Sequence, residues 1–229
     1  MSGDELMEPY EYYSDEAVKI YHGDCRDILP EISADVMLTD PPYGIQGGRG
    51  VGNRARGKAK YEPDGWGDTP EYIEQVCVPV IRQAVERIAR VVLTPGIRHL
   101  HLYPPADDMG CFWTPAAVGT GSWGLTTFHP ILYYGRDPRA GIGALPSGRQ
   151  VTERPGVDGH PCPKPLKAWT WLLAKASVAT SDIVVDPFMG SGTTLRAAKD
   201  LGHKAVGIEI EERYCEIAAN RMSQSVMAL

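Results

Sequence analysis

Two stretches of the sequence carry residue types whose spacing can do chemistry. Asp40-Pro41-Pro42-Tyr43 follows the apolar run Val36-Met37-Leu38-Thr39 and ends it, because two successive prolines cannot continue a central ladder. The tetrapeptide sets a carboxylate, a proline carbonyl and an aromatic ring at a strand end, stiffened by fixed φ angles. Such a group suits a planar amine. The lone pair of an exocyclic amine on adenine or cytosine is delocalised into the ring. Acceptors aimed at its hydrogens favour the tetrahedral, lone-pair-localised form of the transition state. Tyr43 can stack on the base and supply roughly 1–3 kcal/mol of positioning energy. Standing alone, the same four residues would also describe a strand-ending turn with a core tyrosine.

The second stretch is Asp186-Pro187-Phe188-Met189-Gly190-Ser191-Gly192-Thr193-Thr194, which follows an apolar strand and opens a helix. A glycine turn there exposes backbone N–H groups at the carboxyl edge of a sheet, where a cofactor can bind. The next strand, Ala205 to Ile208, ends at Glu209, whose carboxylate can accept from both hydroxyls of a ribose. Leu195 stands where a dinucleotide fingerprint has its third glycine, so an adenosine with a smaller tail fits better than a pyrophosphate. A lone Gly-x-Gly is often only a turn; strand, turn, helix, strand and acid in this order make a nucleotide site.

These residues need a scaffold, and the patterning supplies one. Strands are expected at Val18–Tyr21, Val36–Thr39, Leu100–Tyr103, Thr126–Tyr134, Asp182–Asp186 and Ala205–Ile208. Helices are expected from Thr69-Pro70 to Val92, disturbed at Pro79, and over Pro165–Ala176, Thr193–Leu201 and Glu211–Arg221. Alternating strands and helices imply an α/β fold with a doubly wound, mostly parallel sheet in three layers. At 229 residues the chain suits one domain. The division read is an acidic tail over 1–16, a single domain over 17–222 and a short tail over 223–229. Within the domain lie a Gly/Arg loop over 44–66 and an irregular loop over 135–159.

The net charge of -6 argues against nucleic acid until it is placed along the chain. Residues 1–16 hold six acids and no Lys or Arg, while the Gly-rich loop after Tyr43 carries Arg49, Arg54, Arg56, Lys58 and Lys60 with no acid among them. By composition that loop is a solvated linker or a cationic arm. Five scattered cysteines without C-x-x-C spacing read as reduced thiols in a cytoplasmic protein. His160 and Cys162 lack a second ligand pair at zinc spacing, so no metal is expected. No apolar run approaches a membrane span.

With these motifs in order, the chain resembles the S-adenosylmethionine-dependent amino-methyltransferases of DNA, which make N6-methyladenine or N4-methylcytosine. The catalytic motif precedes the cofactor motif, as in the circularly permuted β group with its Rossmann-like class I fold. Gly23-Asp24, His160-Pro161-Cys162-Pro163-Lys164-Pro165, and Glu212-Arg213-Tyr214 with Arg221 extend the resemblance over roughly residues 18–222. It implies that Asp40 and the Pro41 carbonyl hold the target amine, within the Asp40, Pro41, Pro42, Tyr43 motif, and that Tyr43 stacks on a flipped base. It implies S-adenosylmethionine at Asp24, Cys25, Asp186, Phe188, Gly190, Gly192, Thr193, Thr194, Glu209 and Ile210, closed by Lys164 and Pro165, with S-adenosylhomocysteine as product. Phe128 or His129 would wall the base pocket or simply pack in a strand. Duplex DNA is the implied partner, and a homodimer is compatible with it.

In that frame the loop cations lie where phosphates flank the extruded nucleotide. Arg136, Arg139 and Arg149, in the short loop taken for target recognition, would reach phosphates or base edges. Members usually carry a longer insertion there. Asp40, where cytosine-N4 enzymes more often have Ser, points to adenine by resemblance. Cytosine-C5 chemistry would need a Glu-Asn-Val segment, which is absent. A non-catalytic DNA-binding relative would have lost Asp40, Tyr43 or the glycine turn, and all are present.

Overall fold

The computed structural model describes residues 7–44, 68–115, 119–121, 123–153 and 164–224. Among them the strands are β1 (Glu11–Ser14), β2 (Val18–His22), β3 (Val36–Thr39), β4 (Arg90–Leu93), β5 (Asp108–Trp113), β6 (Gly119–Gly121), β7 (Gly124–Thr126), β8 (Phe128–Gly135), β9 (Gly148–Gln150), β10 (Ile183–Asp186) and β11 (Lys204–Glu209). The principal helices are α1 (Cys25–Ile28), α2 (Val78–Arg87), α3 (Leu166–Ala176), α4 (Thr193–Asp200) and α5 (Glu212–Ser223).

Nine strands form one sheet in the order β1-β2-β11-β10-β3-β4-β8-β5-β9, and β6 and β7 pair separately. The five strands β2, β11, β10, β3 and β4 are mutually parallel, whereas β8 runs antiparallel to both β4 and β5. Strands buried on both faces read as continuous apolar runs, and successive residues serve opposite layers. Val36, Leu38, Val92 and Val184 pack with Trp169 and Leu172 of α3, Ala198 of α4 and Ala218 of α5. Met37, Val91, Leu93 and Val185 pack with Ile28 of α1 and Ile81 of α2. The result is three layers with a mostly parallel sheet in the middle, as the patterning implies.

Three expectations need correction. The sequence carries the helical period on to Val92, but the chain leaves the helix at Ile88, which is extended at φ -103° and ψ 131°. Arg90–Leu93 becomes a buried strand beside β3. An apolar run such as Val91-Val92-Leu93 satisfies either period, and tertiary pairing decides. The disturbance in that helix is a π-helical turn over Ile73–Cys77, ahead of Pro79, while Thr69 caps Tyr72 N–H at 3.2 Å with Pro70 following. Leu100–Leu102 is a 3-10 turn, not a strand. Finally, the segment taken as a tail contributes β1, which pairs antiparallel with β2.

Candidate active site

The parallel strands deliver their last residues to one edge, and every chemical motif that the structure describes lies there. β3 ends at Asp40, β10 at the Asp186 turn, β11 at Glu209 and β2 at Gly23-Asp24.

On the β10–β11 side, the turn is built from positive-φ glycines, Gly190 at 50° and Gly192 at 73°, the latter preceding the first residue of α4. A Cβ on Gly192 would come within 3.0 Å of the Ala218 Cβ, so glycine also lets α5 approach the turn. Glu209 accepts from the backbone N–H of Gly190 at 2.9 Å and of Ile210 and Glu211, both at 3.0 Å. Burial pushes its carboxyl up to about 7 against the opposing pull of those three donors. A carboxylate already tied to the glycine turn is placed to accept ribose hydroxyls. Gly23 donates to the Glu209 carbonyl at 2.9 Å, which brings Asp24 alongside. Asp24 caps α1 and pairs with Arg26 through the guanidinium Nη2 at 2.6 Å; that hydrogen bond leads in holding its carboxyl below the usual range.

Several residues that the resemblance gives to the cofactor also hold the turn itself in place. Asp186 is buried, accepting from Thr39 Oγ1 at 2.6 Å, Thr194 Oγ1 at 2.5 Å and Phe188 N–H at 3.1 Å. Burial raises it to about 6. Trp169 Nε1 donates to Thr194, and Arg221 donates to Thr193 Oγ1 and the Ser191 carbonyl. These side chains brace the turn from behind. Cys25 is buried with its thiol pushed up to about 12, so it packs as a neutral group. Phe188, Gly190, Glu209 and Ile210 remain half-exposed at the edge.

On the β3 side, the Asp40 carboxylate is held by three groups. Tyr43 OH and Thr94 Oγ1 donate to Oδ1, and Lys164 Nζ lies 2.5 Å from Oδ2. Lys164 also donates to Tyr43 OH at 2.9 Å and sits 4.5 Å from the centroid of its ring. The resemblance puts Lys164 on the methionine side; the structure brings its ammonium onto the Asp40 carboxylate. Tyr43 lies against Gly96, at φ 68°, where any Cβ would strike the ring at 2.9 Å. Thr94 and Gly96 were not singled out in the sequence, although Thr94-Pro95-Gly96 ends β4 much as Asp40-Pro41-Pro42 ends β3. Thr39 links the two sides, since it precedes Asp40 and donates to Asp186.

His129 stacks on Phe112, with centroids 4.3 Å apart and planes at 11°. Burial and the nearby Lys164 charge lower it to about 4, so the imidazole is neutral beside Asp40. Phe128, its neighbour, is exposed.

The arginines separate. β8 ends at Gly135 beside the start of β4, so Arg136 and Arg139 sit at the edge opposite Asp40. Arg139 is spent on the carbonyls of Gly143 at 3.0 Å and Ala174 at 3.3 Å. These two are not brought to the site. Arg149, exposed on β9 opposite Phe112, is at the site edge. Arg49, Arg54, Arg56, Lys58 and Lys60 lie outside the described residues, as do His160 and Cys162. Among the described residues no cluster of three metal-ligating side chains occurs, and no helix is long and apolar enough to cross a membrane.

Residues 129–220 match the model of the N6/N4 DNA methylase family. The chain is 24% identical over 255 residues to the type II methyltransferase M2.LlaDCHI of Lactococcus lactis subsp. cremoris, covering 93% of this chain and 92% of that protein. It is 25% identical over 279 residues to the type II methyltransferase M.ScaI of Streptomyces caespitosus, covering 95% and 85%. Among solved structures, the M1.HpyAVI–SAM complex aligns with a TM-score of 0.65 at 18% identity, over 90% of this chain and all of that one. The cytosine-N4-specific PvuII DNA methyltransferase aligns at 0.68 and 16%, over 96% and 91%. At such identities the structural likeness establishes the methyltransferase fold.

Proposed function

We propose that this chain, whose residues 129–220 match the N6/N4 DNA methylase model, transfers a methyl group from S-adenosylmethionine to the N6 amine of an adenine flipped out of duplex DNA. One observation carries the reading. The Asp40–Tyr43 motif and the Gly190–Glu209 turn share one sheet edge and are joined by the Thr39–Asp186 hydrogen bond.

The residues fit the cofactor. The positive-φ turn leaves backbone against the Glu209 carboxylate, and Phe188 and Ile210 supply apolar faces for an adenine. Asp24 is positioned as an acceptor for its amino group. When bound, S-adenosylmethionine supplies an electrophilic methyl on a sulfonium.

The rest is done by protein groups. Tyr43 stacks on the target base, while the Asp40 carboxylate and Pro41 carbonyl accept the two amine hydrogens and localise the nitrogen lone pair. Held so, the amine would be poised to take the methyl group that the bound cofactor would supply, and its surplus proton would leave for water. Lys164 balances the Asp40 charge and, with Thr94, aims it. The order of motifs along the chain supports the permuted β group, and Asp40 supports adenine.

The test is incubation of the purified protein with labelled S-adenosylmethionine and several unmodified duplex DNAs, followed by hydrolysis to nucleosides. N6-methyladenine is expected. N4-methylcytosine alone would overturn the adenine assignment, and no methylated nucleoside on any DNA would overturn the activity.

A further inference from the structure

The Gly119–Thr126 hairpin belongs to no part of the site described above. β5 ends at Trp113 and β8 begins at Phe128, and these two residues are directly paired. Both strands meet the outside at the same edge as Asp40, because β8 is antiparallel to β4 and to β5. Between them the described residues form the paired strands β6 and β7, whose chain connects to β5 and β8 at the Asp40 edge. At a strand spacing of about 4.8 Å, β8 and β5 stand two and three strands from β3, on the order of 10–14 Å away.

The hairpin presents apolar side chains where a soluble protein would usually place polar ones. Trp123 is 102% exposed and Leu125 71%, with Phe128 at 46% and Trp113 at 39% beneath them. Gly121 pairs with Gly124, which has φ 129° and nothing within 4 Å of a Cβ. Resting on the DNA-methyltransferase reading, we propose that Trp123 at the hairpin tip inserts into the base stack of the bound duplex beside the flipped nucleotide.

Three observations favour a base step over a second copy of the chain. The patch is small: one leucine and three rings, two of them already about half covered, offer on the order of 500 Å², below the roughly 800 Å² per partner of a stable interface. Arg149, exposed on β9 and paired with Phe112 of β5, adds a cation at the same sheet edge, as a phosphate backbone requires. A narrow aromatic tip suits the gap between unstacked base pairs, where apolar wedges support a deformed duplex. Extruding a base leaves such a gap, and a stacked indole offsets the lost stacking.

Trp123→Ala and Trp123→Phe test this on the full chain with PCR-amplified duplex DNA, which carries no methylated base. Methyl transfer and tryptophan emission are read in parallel. The expected result is a 10- to 100-fold loss of transfer in Trp123→Ala, on the scale of one stacked base, with Trp123→Phe within about threefold of wild type. Adding duplex should quench wild-type emission by a component absent from Trp123→Ala. Wild-type transfer by Trp123→Ala, or an unchanged quench, overturns the wedge. So does light scattering in which Trp123→Ala turns a dimer into a monomer, since the tip would then be a protomer contact. If duplex quenches Trp123 but receives no methyl group, the methyltransferase reading fails and the wedge stands. A duplex that is neither bound nor methylated overturns both.

Discussion

The β2–β11–β10 half of the sheet and the β4–β8–β5–β9 half meet the same edge with opposite surfaces. In the first, the turn residues are buried and hydrogen-bonded to one another: Asp186 to Thr39 and Thr194, Glu209 to three backbone N–H groups, Arg221 to Thr193. In the second, the edge carries Phe128, Trp113, Leu125 and Trp123 in the open, with Arg149 alongside. A small cofactor of fixed shape rewards a preorganised cradle. A long polymer that must be distorted rewards exposed contacts. Asp40 stands at the seam, held by Thr94 from the second half and Lys164 from the β9–α3 connection.

If the halves are functionally distinct, removing the seam carboxylate should damage one and spare the other. Asp40→Ala is expected to lower methyl transfer by about 10²- to 10³-fold, as loss of a group that stabilises the transition state does. Cofactor affinity by calorimetry should stay within about threefold. Loss of both would mean that the Thr39–Asp186 link makes the halves one unit.

Next in size is a pH effect confined to the first half. Glu209 titrates near 7, and the carboxylate is the form that accepts from ribose hydroxyls. Cofactor affinity should therefore fall as pH drops below 7, about tenfold per unit well below the pKa, and Glu209→Gln should remove that dependence. Without cofactor the sign reverses. A carboxyl raised in the folded state favours folding below its unfolded pKa and loses that contribution as pH rises through its folded one. For Asp186 that loss passes through about 6 and for Glu209 through about 7. Melting scans from pH 5 to 7.5 should show these two groups lowering the Tm of the free protein, and cofactor should lessen or reverse the slope.

Packing should differ as well. An alanine Cβ at Gly207, on β11, would lie 2.4 Å from Met189 Sδ and 2.7 Å from Leu195 Cδ1. Gly207→Ala is expected to cost about 1–3 kcal/mol in urea unfolding. Gly141→Ala, in the loop after β8, has open space and only its φ of 86° to overcome, so about 1 kcal/mol is expected. Equal costs would erase the contrast.

The same division governs what the sequence reveals. β3 has the bounds expected from Val36-Met37-Leu38-Thr39, and β10, α4, β11 and α5 fall within two residues of expectation, because strand, glycine turn and helix follow one another locally. β5, β6, β7 and β9 were missed. Asp108–Trp113 has no clean alternation, and β9 is three residues long and exists through its pairing with β5. Asp40, Tyr43 and Glu209 stand out in the sequence because each follows a strand end, and the structure brings all three to one sheet edge. Thr94 and the Lys164–Asp40 pair do not stand out, because they depend on β4 lying beside β3 and on a connection that returns from β9.

The smallest effect belongs to the segment read as an acidic tail. Asp15 follows β1 and accepts from Ala17 and Val18 N–H, both at 2.8 Å, and from Lys199 Nζ of α4 at 2.6 Å. Burial alone would raise its carboxyl, but Lys199 and the two N–H donors outweigh it and hold it at about 2. A lowered carboxyl contributes stability above its unfolded pKa, near 3.8, and loses it as pH falls through about 2. Asp15→Ala is therefore expected to cost about 1 kcal/mol at pH 7, a typical value for lost turn hydrogen bonds and a partly exposed ion pair. Urea unfolding should show that cost shrinking as the acid limb is approached. Deletion of 1–16 should destabilise more, because it strips β1 from the outer edge of β2. A deletion as stable as the full chain would return this segment to the status of a tail.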